Sequence, residues 1–319
     1  MLCCAMNKAV LHDHLDGGLR SSTARDLAKD INYSPLIDVE NPSEFFDRSK
    51  CESLEEYLEA FTHTIALMQS YEHLERISFE AAEDMHNEGI TLYESRYAPF
   101  FSVNQTLSPV SVLNAINSGF KQAESMYGIQ CGLILCGMRH DLVNVKLVQE
   151  LAIDNKDKII GFDIAGPELN FRPNLFSDIF KKIVDAGINI TIHAGEGDNV
   201  ESIQEALDNG AQRIGHGVRI IEDIDVENNK LGKTANYILD NEIPLEVCIT
   251  SNIHTNMYDS PQNHPINKLV ELGFQVSLNT DNRLMSNTSI NNELNVAKVA
   301  GVQNPESLLV KSAGYSFLS

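Results

Sequence analysis

The stretch Ile190-Thr191-Ile192-His193-Ala194-Gly195-Glu196 reads as a short β-branched run that ends in a histidine, a flexible step and a carboxylate. Ile190 and Ile192 alternate with Thr191 as a strand requires, Ala194 and Gly195 permit a tight turn, and Asp198 or Asn199 is placed to cap the following helix. His193 and Glu196 therefore leave one strand end together. A lone histidine beside an apolar run is more often a satisfied structural residue than a ligand, so the reading turns on whether other segments end in the same way.

They do. Ala9-Val10-Leu11 leads into His12-Asp13-His14-Leu15-Asp16-Gly17-Gly18. Residues i and i+2 of a strand point to one side, so His12 and His14 project together, as two imidazoles on one metal require. Taken alone, this segment is equally well read as polar residues at a strand end before a glycine turn. Residues 53–89 then carry Leu54, Tyr57, Leu58, Phe61, Ile65 and Met68 at three- and four-residue steps, with Leu74, Ile77, Ala81 and Met85 continuing after a break near Ser70, a helical core pattern. Strands follow at 90–97, ending near Glu94, Ser95 and Arg96, at 129–138, with Arg139 and His140 at the tip, and at 159–164, running into Ala165-Gly166-Pro167-Glu168. Helices are expected at 109–127, at 141–155 behind an Asp141 cap, and at 175–186.

Beyond the opening stretch, a helix at 200–209 closes at Gly210. Arg213-Ile214-Gly215-His216-Gly217 gives a sixth strand with its histidine between glycines. Residues 222–227 read as an exposed acidic loop. Helices at 234–241, 261–272, 291–300 and 305–317 frame a seventh strand at 244–250 and an eighth at 274–281, which ends in Asp281. Eight strands, each followed by helical segments in one uninterrupted chain, predict a single domain over residues 1–319: an α/β fold of the (β/α)₈ TIM-barrel type with additional helices. A doubly wound sheet is the alternative, but eight regular units favour closure. In such a barrel the active site lies at the carboxyl ends of the strands. His12, His14, His193, Glu196, His216 and Asp281 all fall there.

Composition narrows the partner. The 319 residues are 43% hydrophobic and 22% charged, which allows a substantial core, and the formal net charge is -21. A nucleic-acid binder needs a basic stripe to displace phosphate counterions, so a small molecule is expected instead. The six cysteines, at 3, 4, 51, 131, 136 and 248, form no Cys-x-x-Cys pair and no disulfide-like spacing, as in a reducing cytoplasm. Residues 1–6 are too short and uncharged for a secretory signal, and no apolar run reaches membrane-spanning length. Neither secretion nor a membrane anchor is expected. Oligomeric state is not legible.

Three imidazoles and a carboxylate suit a zinc-type cation with room for water. Such an ion lowers the pKa of bound water to roughly 7, and hydrolysis further needs a proton acceptor and a proton donor. Glu196 and His216 remain for those tasks. The chain resembles the barrel-type, metal-dependent adenosine deaminases through Leu11-His-Asp-His-Leu-Asp-Gly17, Phe162-Asp-Ile-Ala-Gly166, His193-Ala-Gly-Glu196, Gly215-His-Gly217, Ser251-Asn252 and Ser277-Leu-Asn-Thr-Asp281. The resemblance covers almost the whole chain, and it is the order of the pieces that is specific.

It implies one zinc ion held by His12, His14, His193 and Asp281, with Asp281 also orienting the water. It implies that Glu196 protonates purine N1 as hydroxide adds to C6, and that His216 accepts the water proton and stabilises the oxyanion. Adenosine, and 2'-deoxyadenosine, would become inosine-type products and ammonia. Gly166 would offer its backbone N–H to purine N3 and Asp16 would bind a ribose hydroxyl. His14 and Asn282 would also line the substrate, and Tyr57, Leu58 and Phe61 would form an apolar lid. The sequence departs from the family where Asn282 stands for a second aspartate; its amide still offers a donor to N7. The chain ends at Ser319, where family members usually continue further, and a shortened end would cost stability. Alternatives are a deaminase of adenine or of an N6-modified adenosine or AMP, and a catalytically silent barrel. A cytidine-type zinc site lacks its Cys-x-x-Cys, and a two-metal amidohydrolase lacks a lysine within 163–168.

Overall fold

The computed structural model of the chain describes residues 6–49, 51 and 54–318. Cys3, Cys4, Ser53 and Ser319, on which expectations fell, lie outside the described residues. Eight parallel strands follow chain order: β1 (Ala9–Val10), β2 (Leu92–Tyr97), β3 (Gln130–Met138), β4 (Gly161–Ala165), β5 (Thr191–Ala194), β6 (Arg213–His216), β7 (Leu245–Val247) and β8 (Val276–Leu278). Each pairs with its successor within two four-stranded halves. The halves join between β4 and β5, where Phe162 N–H donates to Asn189 O at 2.9 Å, and between β1 and β8, where Asp281 N–H donates to His12 O at 3.0 Å and His14 N–H to Asp281 O at 2.7 Å. Below the second join the Asn279 side chain takes over, its Oδ1 accepting Leu11 N–H at 2.8 Å and His12 N–H at 3.2 Å. The ring is closed, and the fold is the expected (β/α)₈ barrel.

The strands alternate, but with the polar face inward. Glu94 and Arg96 of β2, Asp163 of β4, Arg213 of β6 and Glu246 of β7 are all at most 1% exposed and bond across the interior. Arg96 reaches Asp163 at 2.6 Å and Glu246 at 2.7 Å, while Arg213 reaches Glu94 at 2.6 Å and Glu246 at 2.7 Å. Tyr93 and Tyr97 of β2, Ile192 of β5, Ile214 of β6, and Leu245 and Val247 of β7 join the apolar layer shared with the surrounding helices. At the amino-terminal mouth, Phe317 lies 3.6 Å from the Arg213 guanidinium carbon and Ser316 Oγ donates to Glu94 at 2.7 Å. That end is sealed, so any ligand enters at the carboxyl ends of the strands.

The link from β1 to β2 is the largest excursion. It holds short helices at Ser21–Asp30, Ser34–Ile37 and Pro42–Phe46, which the sequence reading left unassigned, then Leu54–Glu59, Phe61–Leu67 and Tyr71–Asn87. The break near Ser70 is real, and the Ser70 hydroxyl caps the last of these by accepting His73 N–H at 3.2 Å. Asp141 caps its helix as expected, through Asn144 N–H at 3.1 Å.

Three expectations need correction. Neither Asp198 nor Asn199 makes a side-chain cap for the Val200–Asp208 helix, because Asp198 is occupied by Arg172 at 2.7 Å and the Asn199 side chain also accepts from Arg172. The seventh strand stops at Val247, and Ile249–His254 turns into a helix whose Thr250 N–H is taken by the buried Glu293 carboxylate at 3.3 Å. The acidic loop at 222–227 is not uniformly exposed, since Ile224 is buried and the Asp223 carboxylate accepts Ala235 N–H at 2.9 Å. Among the described residues no helix is long and apolar enough to cross a membrane, and Cys51, Cys131, Cys136 and Cys248 are free thiols.

Candidate active site

β5 delivers His193 with little freedom left. Its N–H donates to Asp163 Oδ1 at 3.2 Å, its carbonyl accepts the Arg139 guanidinium at 2.6 Å, and its Nδ1 lies 2.8 Å from Asp163 Oδ2, so Nε2 is turned to the cavity. His12, at the end of β1, is held in the same way: Nδ1 lies 2.8 Å from Glu246 Oε2, and Nε2 is buried without a hydrogen-bond partner, 3.5 Å from Asp281 Oδ1. Arg96 bridges the two carboxylates from beneath. Carboxylates behind histidines fix ring orientation and raise ligand basicity in metal sites.

Asp281 takes a left-handed conformation, φ 57°, and so does His216, φ 59°. Both strand ends thereby turn their side chains over the barrel mouth instead of continuing the pleat. Asp281 Oδ2 accepts the Ser251 hydroxyl at 2.5 Å, leaving Oδ1 3.5 Å from the Nε2 atoms of both His12 and His14. His14 Nε2 stands 3.1 Å from His193 Nε2. One ligand atom each from His12, His193, His216 and Asp281 lies within 4.8 Å of all the others, with His14 packed against two of them. Two facing nitrogens, an orphaned nitrogen and a free carboxylate oxygen are what a divalent cation would satisfy.

Electrostatics agree. Burial, with His193 and His12 nearby, holds His14 well below its ordinary value, and burial also lowers His193 and His216. Burial pulls on His12 too, but its bonds to Asp281 and Glu246 leave it raised overall. Against its own burial, the histidines, with His12 bonded to it, keep Asp281 ionised well below the carboxylate range. Glu196, by contrast, is raised well above that range, first by burial and then by Asp281 and Glu168. Its Oε2 lies 3.6 Å from His216 Nε2.

A chain of hydrogen bonds fixes the His216 ring. Ile266 N–H donates to His264 Nδ1 at 3.2 Å, so a neutral His264 carries its proton on Nε2, 3.2 Å from Asn252 Oδ1. Burial holds His264 down to about 3, so it is neutral. The Asn252 NH₂ is then directed at His216 Nδ1, 3.1 Å away. Nδ1 accepts, and a neutral His216 bears its proton on Nε2, facing the cavity.

The cavity measures about 290 Å³ and is lined by His14, Asp16, Gly166, His193, Glu196, His216, Asp281 and Asn282, all singled out from the sequence. His12 lies beneath it, fully buried. Tyr57, Leu58, Phe61 and Ile65 from the long excursion form its apolar side, with Tyr57 anchored to Ser286 at 2.7 Å. Buried Asp16 and Asn282 each keep one side-chain oxygen without a partner among the described residues, and burial raises Asp16 to about 7. Sequence reasoning missed Arg96, Glu246, Asn252's tie to His264, and the partners of Glu168.

Fold and site together define a barrel hydrolase with a cation-ready centre. Comparison with known proteins narrows this. The adenosine deaminase family model matches residues 7–309. An adenosine deaminase of Mycobacterium marinum is 42% identical over 300 residues, covering 90% of this chain and 83% of that one. Among solved structures, an adenine deaminase from Arthrobacter aurescens superposes with a TM-score of 0.87 at 22% identity over 99% of this chain and 95% of that one. The N6-methyl-AMP deaminase of Arabidopsis thaliana gives 0.80 at 25%, over 98% and 92%. The chain belongs to the adenosine deaminase family, enzymes that hydrolyse a C–N bond.

Proposed function

We propose that the protein hydrolyses adenosine, and 2'-deoxyadenosine, to inosine-type products and ammonia, with one zinc ion held by His12, His14, His193 and Asp281. The observation that carries this is the convergence of His12, His193, His216 and Asp281 from four strand ends, with His14 Nε2 3.1 Å from His193 Nε2 and 3.5 Å from Asp281 Oδ1, beside a carboxyl group raised well above the usual carboxylate range. Zinc, when bound, would lower the pKa of its water to about 7 and make hydroxide available without a side-chain base.

The remaining work falls to the protein. Adding oxygen to C6 breaks the aromaticity of the ring, so N1 must gain a proton as the C6–O bond forms. Glu196, whose carboxyl group is pushed well above the usual carboxylate range by burial and by Asp281 and Glu168, supplies it and is left ionised. His216 Nε2–H donates to the oxygen at C6 and stabilises it as it later gives up its proton. Of the two tasks the family implies for this histidine, the Asn252 amide favours that one, because accepting a proton at Nε2 would require the ring's own proton on Nδ1, against an NH₂ group. The C6 hydroxyl proton then passes to the amino group, the C6–N bond breaks with loss of ammonia, and C6–O becomes a carbonyl. Gly166 N–H holds N3, the Asn282 amide donates to N7, and Asp16 takes a ribose hydroxyl.

A nucleotide is disfavoured. No Lys or Arg lines the cavity among the described residues, whereas phosphate is normally met by such cations. The net charge of -21 likewise speaks against a nucleic-acid substrate. The deciding experiment follows adenosine absorbance with purified protein before chelation, after it, and after zinc is restored, with adenine and AMP in parallel. Zinc-dependent turnover of adenosine, at least about 100-fold above AMP in kcat/KM, is expected. Adenosine turnover indifferent to chelation, or a preference for adenine or AMP, overturns the proposal.

A further inference from the structure

Glu168 stands at the end of the turn after β4, with 2% exposure, and enters the chemistry above only through its charge near Glu196. Its carboxylate is the acceptor for four consecutive backbone N–H groups of the loop after β5. Oε1 takes Gly195 at 2.7 Å; Oε2 takes Glu196 at 3.0 Å, Gly197 at 2.7 Å and Asp198 at 3.1 Å. A fifth donor, the hydroxyl of the fully buried Ser202, closes on Oε1. Successive N–H groups turned to one point make an anion-binding concavity. Here the anion is supplied by the chain itself, from 27 to 30 residues upstream.

The loop so held is the one that presents Glu196. It cannot hold itself: Gly195 sits at φ +73°, and the next helix has no side-chain cap of its own. The turn that carries Glu168 also carries Gly166, which lines the same cavity. Both loops serve one ring, Gly166 at N3 and Glu196 at N1, on either side of C2. The spacing between those two contacts is therefore set by the side chain that ties the loops together.

We propose that Glu168 is a positioning residue for the reaction, a five-donor clamp that fixes the Glu196 carboxyl group at purine N1 relative to the Gly166 contact. The proposal rests on the reading of Glu196 as the proton donor. A glutamine at this position offers one acceptor oxygen and sets an NH₂ against N–H donors, so the loop loses one of its four N–H bonds if Oε1 is replaced and three if Oε2 is, and Glu196 shifts, while the His193 ring stays held by Asp163 and the His193 carbonyl by Arg139. Misplacing a catalytic group by about 1 Å costs on the order of 100-fold in rate.

The test uses the zinc-loaded full chain as wild type, Glu168→Gln, Glu196→Gln and the double variant, measuring kcat and KM for adenosine together with zinc content. Glu168→Gln is expected to lower kcat about 100-fold, to change KM by less than about threefold and to retain wild-type zinc. Added to Glu196→Gln it should cause no further loss, because it acts only through that residue. Overturning results are a kcat within about threefold of wild type, a loss expressed in KM or in zinc content, or a double variant slower than Glu196→Gln by the full single-variant factor. Near-normal turnover by Glu196→Gln alone would instead remove the underlying reading of the acid. If Glu168→Gln does not fold, Ser202→Ala removes one donor and keeps the carboxylate; a kcat loss of about three- to tenfold at constant KM supports the clamp, and an unchanged kcat overturns it.

Discussion

Replacing Arg96 by methionine probes the support beneath the site without touching any group that faces the cavity. The Arg96 guanidinium lies 2.6 Å from Asp163 and 2.7 Å from Glu246, with no exposure. Those carboxylates in turn stand 2.8 Å behind His193 and His12. Methionine fills comparable space but leaves two buried carboxylates short of a cation, and removing one partner of a buried ion pair costs about 3–5 kcal/mol. With an unfolding entropy of about 2.1 cal/mol/K per residue, the 319 residues give about 0.7 kcal/mol/K, so the metal-free protein should melt about 4–7 °C lower. After burial, Arg96 is also among the charges that push both imidazoles downward, helping to lower His193 and opposing the net rise of His12. Without it they protonate at higher pH, and zinc must displace those protons. Losing such support typically weakens metal affinity about 10- to 100-fold, and here the deficit should be larger at pH 6 than at pH 8. Competition with a chromogenic chelator at the two pH values, together with melting curves of the metal-free variant, measures both effects. Wild-type affinity at pH 6 combined with an unchanged melting temperature would refute the reasoning.

Three further outcomes are expected. Because Glu196 must be protonated to act and its pKa is raised, kcat should fall as pH rises and Glu196 ionises; a pH–rate profile of the zinc enzyme with no alkaline limb would contradict it. Glu293 is fully buried and raised from 4.5 to about 7, so ionising it costs the folded state nothing below pH 4.5, progressively more up to pH 7 and a constant amount above. Glu293→Gln should therefore gain stability as pH rises, by up to about 3 kcal/mol at pH 8, and melting temperatures that do not diverge between pH 5 and 8 would count against it. Gly17→Ala would place a Cβ 2.1 Å from Asn282 Oδ1; the protein should fold and bind zinc but lose at least about tenfold in kcat/KM, and unchanged kinetics would show that Asn282 does not hold the substrate.

The strand tips were legible because strand, turn and chemical group occupy consecutive residues, as in His193 to Glu196 and Ser277 to Asp281. What lies one layer deeper was not. Arg96, Asp163 and Glu246 look like ordinary polar positions of alternating strands, and only barrel closure sets them against one another. The usable signal was that β4 and β7 each carry a charged residue flanked by apolar ones, Asp163 between Phe162 and Ile164 and Glu246 between Leu245 and Val247, a costly pattern for a barrel interior unless the charges meet. Asn252 was noticed as part of a Ser-Asn pair, but extending the seventh strand to Thr250 hid the turn that brings it to His216. The Glu168 clamp had no side-chain signature, since four of its partners are main-chain N–H groups. The helices at 21–30, 34–37 and 42–46 went unread because two of them are too short for a 3.6-residue period to register.

The inward charges also bear on how the barrel finds its pairing. Side chains alternate with a period of two, so sliding one strand by a single residue exchanges its faces. In β2 that slip would carry Tyr93, Ser95 and Tyr97 into the lumen and push Glu94 and Arg96 among the helix-facing aliphatic residues, stranding Asp163, Arg213 and Glu246 at the same time. An oily lumen would tolerate such an error at modest cost, since one aliphatic side chain replaces another. A lumen of interlocked ions tolerates it badly, so the offsets that draw distant histidines together are proofread during assembly by residues that never meet the substrate.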